Sequence, residues 1–403
     1  MKTSYGILGY CSNIHPGEKW EEHFQELKDK LPKVKANVSP NQPFGFGLRI
    51  ANEASLMLES GEKLNELKAW LEKEDLYIFT LNGFPYGGFH HVEVKDQVHQ
   101  PDWRTQDRLD YTKRLIKQLA YLLPNEIKEA GISTSPLSYK PWFKNPIDLL
   151  EATIESTNKL VEAAIYAEKI FQETGNKIHL DIEPEPDGIL GDHQEFVYWY
   201  ENILMVHGKN YLSSQGYEKN SFEDLLNDYI RICFDVCHYG VSFDSPKDSL
   251  KELKEKGIKM GKYQISSAVK MEFKGNTKEE LRALEEYIDP VYLHQVKAKL
   301  PDGTFQSYLD LPEALNQVKP EELQGVEWRV HFHVPIFLTN YDSISSTQAE
   351  ILETLKYIQT EDPEAIMEIE TYTWGVLPKN LQTTIVNSIS REINWVKECL
   401  SNE

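Results

Sequence analysis

Short apolar segments alternate with amphipathic segments along all 403 residues, and no other sequence feature restricts the fold as strongly. The apolar segments are rich in β-branched and aromatic residues, and the segments between them carry apolar residues at helical spacing. This order of elements is typical of a parallel α/β architecture. No glycine-rich phosphate-binding motif opens the chain, which disfavours a dinucleotide-binding fold. The predicted fold class is therefore α/β, as a (β/α)8 TIM barrel.

The number of candidate strands exceeds what a barrel requires. About nine core strands are predicted, whereas a barrel of this kind has eight. The segments 291–297 and 329–334 are the favoured candidates for a position outside the barrel, and 261–268 is the third candidate. We also expect a hairpin insertion near 290–310. Because no linker-like stretch divides the chain, residues 1–403 are predicted to form a single domain.

The chain is strongly acidic, with 64 acidic and 43 basic residues and a formal net charge of −21. Nucleic acid backbones and anionic membranes attract basic patches, so neither is expected as a partner. The N-terminus has no apolar signal region, and no window approaches the roughly 18 apolar residues that a membrane span requires. We therefore expect a cytoplasmic protein that does not insert into a membrane.

The four cysteines (Cys11, Cys233, Cys237 and Cys399) are too few and too scattered for a disulfide framework. Cys233 and Cys237 both fall in the predicted strand 230–238. Strand alternation would place Asp235 and Cys237 on the same face of that strand. We interpret both cysteines as thiols of the core.

Polar side chains follow apolar runs at the ends of the later predicted strands. The segment 177–188 is the clearest case, since a buried strand ends there in Glu183 and a proline-punctuated acidic loop. The carboxyl ends of strands are where β/α barrels carry their active sites. The polar residues at these positions are Asn82, Glu183, Asp235 with His238, Gln264, His331 with His333, and Glu370.

Together these side chains predict a metal site or an acid–base site. Several unpaired carboxylates would be very costly to bury, and a divalent cation is the simplest partner for them. Nitrogen and oxygen ligands suit Zn²⁺, Mn²⁺ or Fe²⁺, and the residues do not separate these ions. The candidate metal ligands are Glu183, Asp235, Gln264, Glu370, His238, His331 and His333.

The order of Glu183, Asp235 with His238, Gln264 and Glu370 resembles the xylose isomerase-like TIM barrel superfamily. In its sugar isomerase and epimerase branch, a Glu, an Asp, a His and a Glu from the last four strands hold one divalent ion. The histidine three residues after the Asp contacts substrate there. The resemblance implies these roles for Glu183, Asp235, Glu370 and His238, whereas Gln264 stands where that branch has the histidine ligand.

A second branch of the same superfamily consists of DNA-repair endonucleases. These proteins bind further zinc ions through a histidine pair or an Asp-X-His motif, and His331-Phe332-His333 is similar to that feature. The net charge of −21 argues against a DNA substrate for this chain.

Several longer motifs carry a closer resemblance. The phrases YCSNIHPGE, TLNGFPYGGFH, HLDIEPEPDG, FDVCH, YQISSA, HFHVPIF and EIETYTWGVLP, spread over residues 10–378, resemble the bacterial EboE-type metabolite traffic family. Members are encoded beside a prenyltransferase-like membrane protein and a TatD-like hydrolase, and they are implicated in moving a precursor metabolite toward the periplasm. The resemblance implies other Ebo-type pathway proteins as partners and leaves the reaction open.

Three functions follow from these observations. The first is a metal-dependent enzyme, similar to sugar isomerases and epimerases, that acts on a small polyhydroxylated or aromatic metabolite. In it Glu183, Glu370 and His238 are the catalytic candidates, with the two glutamates moving a proton and His238 orienting substrate. The second is a non-catalytic metabolite binder or escort with a degenerate metal site, which Gln264 favours. The third is a metal-dependent hydrolase with a second ion at His238, His331 and His333.

Two further features complete the expected site. An aromatic cover is expected from Phe84, Tyr86 and Phe89 of the third-strand loop, together with Tyr372 and Trp374. A glycosidase that used Glu183 and Glu370 as a carboxylate pair would leave the histidines unexplained. The metal content separates the three main functions, because the binder needs no ion, the isomerase needs one and the hydrolase needs two or more.

Overall fold

The centre of the molecule is a cylinder of parallel strands. A computed structural model describes residues 1–88, 94–218, 222–341, 343–372, 377 and 383–401. The strands in chain order are β1 (Lys2–Thr3), β2 (Gly6–Tyr10), β3 (Phe44–Arg49), β4 (Leu76–Asn82), β5 (Glu129–Thr134), β6 (Lys177–Ile182), β7 (Ile230–Asp235), β8 (Met260–Ile265), β9 (Ala268–Glu272), β10 (Val296–Lys299), β11 (Phe305–Tyr308), β12 (Glu327–His333), β13 (Asn340–Tyr341), β14 (Ile344–Ser346) and β15 (Ile366–Ile369).

Eight of these strands close into a barrel. Parallel pairing runs in the order β2, β15, β8, β7, β6, β5, β4, β3, and β1 adds an antiparallel strand beside β2. A parallel bridge between Cys11 and Gly47 joins the ends of β2 and β3 and completes the circle. The predicted (β/α)8 barrel is therefore confirmed.

Helices connect the barrel strands and cover their outer faces. In chain order they are α1 (Trp20–Val38), α2 (Asn52–Leu58), α3 (Glu62–Lys73), α4 (Gln106–Leu122), α5 (Pro146–Thr174), α6 (His193–Trp199), a π-helical segment (Tyr200–Gly208), α7 (Lys209–Ser214), α8 (Phe222–Tyr229), α9 (Val236–Val241), α10 (Pro246–Glu255), α11 (Thr277–Glu285), α12 (Leu311–Gln317), α13 (Gln348–Glu361) and α14 (Ile385–Ser401). No helix in the described ranges is both long enough and apolar enough to cross a bilayer.

Local sequence accounts for the bounds of the longest helix, α5. Asn145 accepts hydrogen bonds from the amides of Ile147 and Asp148, and Pro146 occupies the first helical position, where no amide hydrogen is needed. Gly175 ends the helix with a left-handed φ of 73°. These signals fix the helix that leads into β6, and β6 carries the first acidic residue of the candidate site.

The chain between β8 and α13 forms a second, antiparallel sheet. Its strand order is β11, β10, β12, β9, β14, β13. The hairpin predicted near 290–310 is present as β10 and β11, but it is one edge of this larger insertion. Of the three candidate segments, 261–268 supplies barrel strand β8, whereas 291–297 and 329–334 overlap β10 and β12 outside the barrel.

Barrel and insertion share a hydrophobic core that includes Leu180 of β6 and Trp328 of β12. Both side chains are fully buried. Burial of apolar area removes about 25 cal/mol per Å² from the free energy of the folded state, so this shared core favours a fixed insertion. The single-domain prediction stays a prediction.

The sequence-based placement of Cys237 is wrong. The structure ends β7 at Asp235 and begins α9 at Val236, so Cys237 does not lie on a strand with Cys233. The Asp235 carboxylate caps α9 by accepting a hydrogen bond from the amide of His238. Because the Asp235 carboxylate caps the helix, the strand ends and the helix begins at the same point. Cys237 therefore lies in the first turn of α9 and does not follow the side-chain alternation of β7.

The interior of the barrel is unusually polar. Lys262 of β8 and Glu368 of β15 form an ion pair in which both side chains are fully buried. In β6, His179 Nδ1 lies 2.5 Å from Asp181 Oδ1. Interiors of such barrels are mostly filled by branched apolar residues, so this polar filling requires charge compensation inside the barrel.

A buried glutamate on α14 should make stability depend on pH. Oε1 of Glu392 accepts hydrogen bonds from the Ile336 amide (3.2 Å) and the Thr371 hydroxyl (2.9 Å). Burial raises the pKa of Glu392 from 4.5 to about 8. The folded protein therefore holds this proton more tightly than the unfolded chain does. The contribution to stability is complete below about pH 4.5 and is lost as the pH rises through about 8.

We expect Glu392→Gln to remove the part of this slope that Glu392 contributes. The glutamine Oε1 can accept both hydrogen bonds and carries no proton to lose. Over the full range the wild-type loss is on the order of a few kcal/mol. Urea denaturation between about pH 5 and pH 9 measures it. Glu398→Gln, at an exposed position of the same helix, should keep the wild-type slope. An unchanged slope in Glu392→Gln would contradict the prediction.

Candidate metal centre

Three carboxylates converge at the carboxyl end of the barrel strands. Glu183 directly follows β6, Asp235 ends β7 and Glu370 directly follows β15. One oxygen of each lies within 4.8 Å of an oxygen of the other two, and all three side chains are buried. Because β7 and β8 separate β6 from β15 in the barrel wall, Glu183 and Glu370 reach this point from different directions.

Hydrogen bonds fix one oxygen of Asp235 and leave the other available. Oδ1 accepts from the amide of His238 (3.1 Å) and from the hydroxyl of Ser266 (2.7 Å). Oδ2 is buried and has no hydrogen-bond partner among the described residues. A buried carboxylate oxygen without a partner is costly, which is the condition that a bound cation relieves.

Glu370 is held in a similar way by two asparagines. Its Oε1 accepts hydrogen bonds from Asn13 Nδ2 (2.6 Å) and Asn82 Nδ2 (3.2 Å). Glu183 Oε2, like Asp235 Oδ2, is buried and finds no partner within the part of the chain that the structure describes. The site therefore consists of positioned carboxylates with oxygen atoms left for a ligand.

The pKa shifts of these groups reflect crowded negative charge. Burial, and then the charge of Asp235, raises the pKa of Glu183 well above its usual value. Burial, followed by the charges of Glu183 and Asp235, does the same for the pKa of Glu370. Burial alone would also raise the pKa of Asp235, but His238, His333 and the Ser266 hydrogen bond outweigh it and lower that pKa.

Three histidines border the carboxylates. His238 lies in α9, and His331 and His333 lie in β12 of the inserted sheet. Their ring centroids are 4.6 Å apart for His238 and His331, 6.1 Å for His238 and His333, and 5.6 Å for His331 and His333. Burial lowers the pKa of His333 to about 4 and that of His331 well below its usual value, which favours neutral rings.

In each of the three histidines, the hydrogen bond made by Nδ1 determines the tautomer and so the state of Nε2. Nδ1 lies within hydrogen-bond distance of an oxygen in all three rings: 2.8 Å from Pro184 O for His238, 2.7 Å from Gln295 Oε1 for His331, and 2.7 Å from Glu370 O for His333. A carbonyl oxygen can only accept, so Nδ1 carries the proton and Nε2 carries the lone pair. Metal-binding histidines typically donate a hydrogen bond from the ring nitrogen that does not contact the metal.

These residues fit a divalent cation. Glu183, Asp235 and Glu370 form one possible ligand group, and Asp235, His238 and His333 form a second group that shares Asp235 with the first. Carboxylate oxygens and neutral imidazole nitrogens are ligands for Zn²⁺, Mn²⁺ and Fe²⁺, and the residues do not determine which ion binds.

Gln264 occupies a different environment from the other predicted ligands. Its Oε1, the atom that could coordinate a cation, lies 2.9 Å from Cys233 Sγ. The side chain is fully buried, and its Nε2 has no hydrogen-bond partner in the described ranges. Gln264 Oε1 would have to give up its contact with Cys233 Sγ before it could coordinate a metal.

A small cavity of about 50 Å³ opens beside these groups. Five of the seven candidate metal ligands line it, namely Glu183, His238, His331, His333 and Glu370. Sequence reasoning missed three residues with polar or acidic side chains near it: Asn13, Glu185 and His99. Asn13 and Glu185 line the cavity, and His99 Nε2 lies 3.6 Å from Glu185 Oε2. Asn13 and Glu185 each follow a barrel strand within a few residues, and this position at a strand end is the sequence signal that could have identified them.

The aromatic cover agrees in part with expectation. Phe84 and Tyr372 line the cavity. Tyr86 packs on Tyr111 instead, with ring centroids 5.0 Å apart. Phe89 and Trp374 lie outside the described residues.

Comparisons with known proteins find similar solved structures at low sequence identity. No protein-family profile matches the chain. No curated protein is significantly similar to it. Among solved structures, it is similar to the IolI protein with a bound zinc atom, with 11% identity, 98% of each chain covered and a TM-score of 0.48. It is also similar to D-allulose 3-epimerase from Methylomonas sp., with 10% identity, 99% of each chain covered and a TM-score of 0.49.

A third similar structure is a xylose isomerase-like TIM barrel protein from Mycobacterium smegmatis in complex with magnesium. It shares 10% identity over 100% of this chain and 99% of its own, with a TM-score of 0.45. At these identities the similarity concerns the fold alone. It gives no support to the EboE-type identity.

Proposed function

We propose that this protein is a divalent-metal-dependent isomerase or epimerase of a small metabolite. The observation that carries the proposal is the group of three buried carboxylates, Glu183, Asp235 and Glu370, whose oxygens lie within 4.8 Å of one another beside a cavity. Three negative charges at this spacing cannot all be buried without a cation.

The chemistry of the group matches the proposed reaction class. A divalent ion bound there acts as a Lewis acid on a carbonyl and a neighbouring hydroxyl oxygen of the substrate. Glu183 and Glu370 approach from strands separated by two others, so one can accept a proton from the substrate carbon while the other donates one. His238 lines the cavity and presents Nε2 for orienting a hydroxyl group.

The experiment is proton exchange with solvent. The protein is loaded with Mn²⁺, Zn²⁺ or Mg²⁺ and incubated in D₂O with a panel of small ketoses and aldoses. Isomerisation or epimerisation through the proposed proton transfer places deuterium on the carbon next to the carbonyl, which NMR detects. Glu183→Gln should reduce the exchange rate by about 10²–10⁴-fold, the usual contribution of a general acid or base.

The outcomes separate the candidate functions. Exchange that requires both the metal and Glu183 supports the proposal. Binding of a panel member, with a metal present and no deuterium incorporated, would overturn it in favour of the non-catalytic escort. A chain that retains no divalent ion after loading would overturn it as well.

A metal-dependent hydrolase is the second candidate. The group Asp235, His238 and His333 favours it, because these residues could hold a second ion beside the three-carboxylate group. Two ions held there would stabilise the attacking and leaving oxygens of a hydrolytic displacement. Two ions per chain, together with release of product from a phosphate or carboxylate ester, would favour this function.

The pathway context rests on sequence motifs alone. We propose an EboE-type role, in which the metabolite is linked to precursor export and other Ebo-type proteins are partners. We also propose a cytoplasmic location. The motifs between residues 10 and 378 support the pathway role, which co-purification with Ebo-type proteins would test, whereas cell fractionation would test the location.

A further inference from the structure

We propose that Cys237, His331 and His333 form a separate binding site for a soft divalent cation, Zn²⁺ above all, with the Cys237 thiolate as a ligand. One donor atom from each of the three lies within 4.8 Å of the other two, and all three side chains are buried. This site does not depend on the proposed function, because it uses none of the three carboxylates.

The position of Cys237 follows from the start of α9. Asp235 caps this helix, and the amide of Cys237 donates a 2.9 Å hydrogen bond to Ser266 Oγ. These contacts anchor the backbone of the first turn, from which Cys237 and His238 both extend toward the imidazoles of β12. A buried cysteine is usually a small hydrophobic residue, but this one faces two imidazole rings.

The tautomer of His331 is determined by its neighbour Gln295. The Gln295 side-chain amide donates to Pro186 O at 2.8 Å, so its Oε1 is the acceptor for His331 Nδ1 at 2.7 Å. His331 Nε2 therefore carries a lone pair. That atom is buried and meets no hydrogen-bond partner within the described ranges.

A buried acceptor without a donor is costly, and a cation at this position satisfies it. The tautomer of His333 is defined as well, since its Nδ1 donates to the Glu370 carbonyl at 2.7 Å. Two neutral imidazoles with defined tautomers and one thiol leave the fourth position of a tetrahedral zinc site for water or substrate.

The donor atoms separate this site from the carboxylate group. Thiolate and imidazole favour Zn²⁺, whereas three carboxylates also accept Mn²⁺ and Mg²⁺. Binding converts the Cys237 thiol to a thiolate and releases its proton to solvent. His333 also belongs to the group with Asp235 and His238, so an ion held there instead would have no sulfur ligand.

The test is spectroscopic. Metal-free protein is titrated with Co²⁺, and a thiolate ligand gives an intense near-ultraviolet charge-transfer band that oxygen and nitrogen ligands do not give. Cys237→Ser should lose the band and about one bound ion per chain. Cys233→Ser is the matched control, because Cys233 is equally buried and contacts Gln264. It should keep both.

Two further measurements keep the proposal testable if Cys237→Ser does not fold. X-ray absorption at the zinc edge of the wild-type protein should show a sulfur neighbour at about 2.3 Å. Glu370→Gln, which removes a carboxylate ligand, should keep the cobalt band, so that failure of the proposed isomerase site and failure of this site are distinguished. A folded, metal-loaded wild type without a sulfur signal, or a band that persists in Cys237→Ser, would overturn the inference.

Discussion

Glu370→Gln is expected to abolish tight binding of Mn²⁺ and with it any metal-dependent turnover. The glutamine oxygen can still accept the hydrogen bonds from Asn13 and Asn82 that fix Glu370 Oε1, so the substitution removes charge with little change of shape. Loss of a residue that merely supports a ligand costs about 10–100-fold in metal affinity, and loss of a ligand should cost at least about 100-fold. Titration calorimetry with Mn²⁺ measures it.

The metal-free variant should also be more stable than the metal-free wild type. The pKa of Glu370 is raised by burial and by the charges of Glu183 and Asp235, so the charged carboxylate is unfavourable in the absence of a cation. This opposite sign separates loss of a ligand from loss of the fold. Glu185→Gln is the matched control, since Glu185 lines the same cavity and lies outside the three-carboxylate group. Equal Mn²⁺ affinity in Glu370→Gln and wild type would contradict the assignment.

Lys262→Met is expected to destabilise the protein by about 3–5 kcal/mol, the usual cost of removing one partner from a buried ion pair. Lys262 and Glu368 are both fully buried, and the variant leaves the Glu368 charge uncompensated inside the barrel. Total stabilities are only about 5–15 kcal/mol, so this is a large share. Urea denaturation at neutral pH measures the change in the free energy of unfolding.

The sign of the pH dependence is also defined for this pair. Burial by itself would lower the pKa of Lys262, but the charge of Glu368 outweighs it and the pKa is raised. A raised lysine pKa contributes stability that is fully present below the unfolded value of about 10.4 and is lost only above it. The stability that Lys262 contributes to the wild type should therefore not change between about pH 6 and pH 9.

Two controls sharpen this result. Lys262→Met combined with Glu368→Met should recover most of the loss, because apolar residues of similar volume often replace a buried ion pair without cost. Lys254→Met, at a lysine that pairs with Glu361 on the surface, should leave stability almost unchanged. If the double variant were as unstable as the single one, the cost would come from packing and the charge argument would be wrong.

The inserted sheet shows where sequence reasoning reached its limit. The segment 329–334 and barrel strand β8 both have strong strand patterns. Periodicity identifies each as a strand but does not indicate which sheet it joins. The structure separates them because β12 pairs antiparallel with β9 and β10, whereas β8 pairs parallel with β7 and β15. Such pairing depends on contacts between residues far apart in the chain.

The helix start at Asp235 has a local signal in the sequence. Strand alternation predicts a continued strand after Asp235, but aspartate is a favoured N-cap residue, and its carboxylate here accepts a hydrogen bond from the amide of His238. The consequence was limited for His238, which still reaches the carboxylates, but it moved Cys237 from the core of a strand to the vicinity of His331 and His333.

The succession of strands and helices, and the acidic or imidazole residues at strand ends, can be read from the amino-acid sequence. The succession follows from local periodicity, and the shared rim follows once the segments are recognised as a parallel barrel. The pairing of Lys262 with Glu368, 106 residues away, and the contact of Gln264 with Cys233 are visible in the folded chain alone. The same holds for the position of β12, which brings His331 and His333 to the rim. Side-chain partners of this kind arise from packing between distant segments, and no periodicity within a segment encodes them.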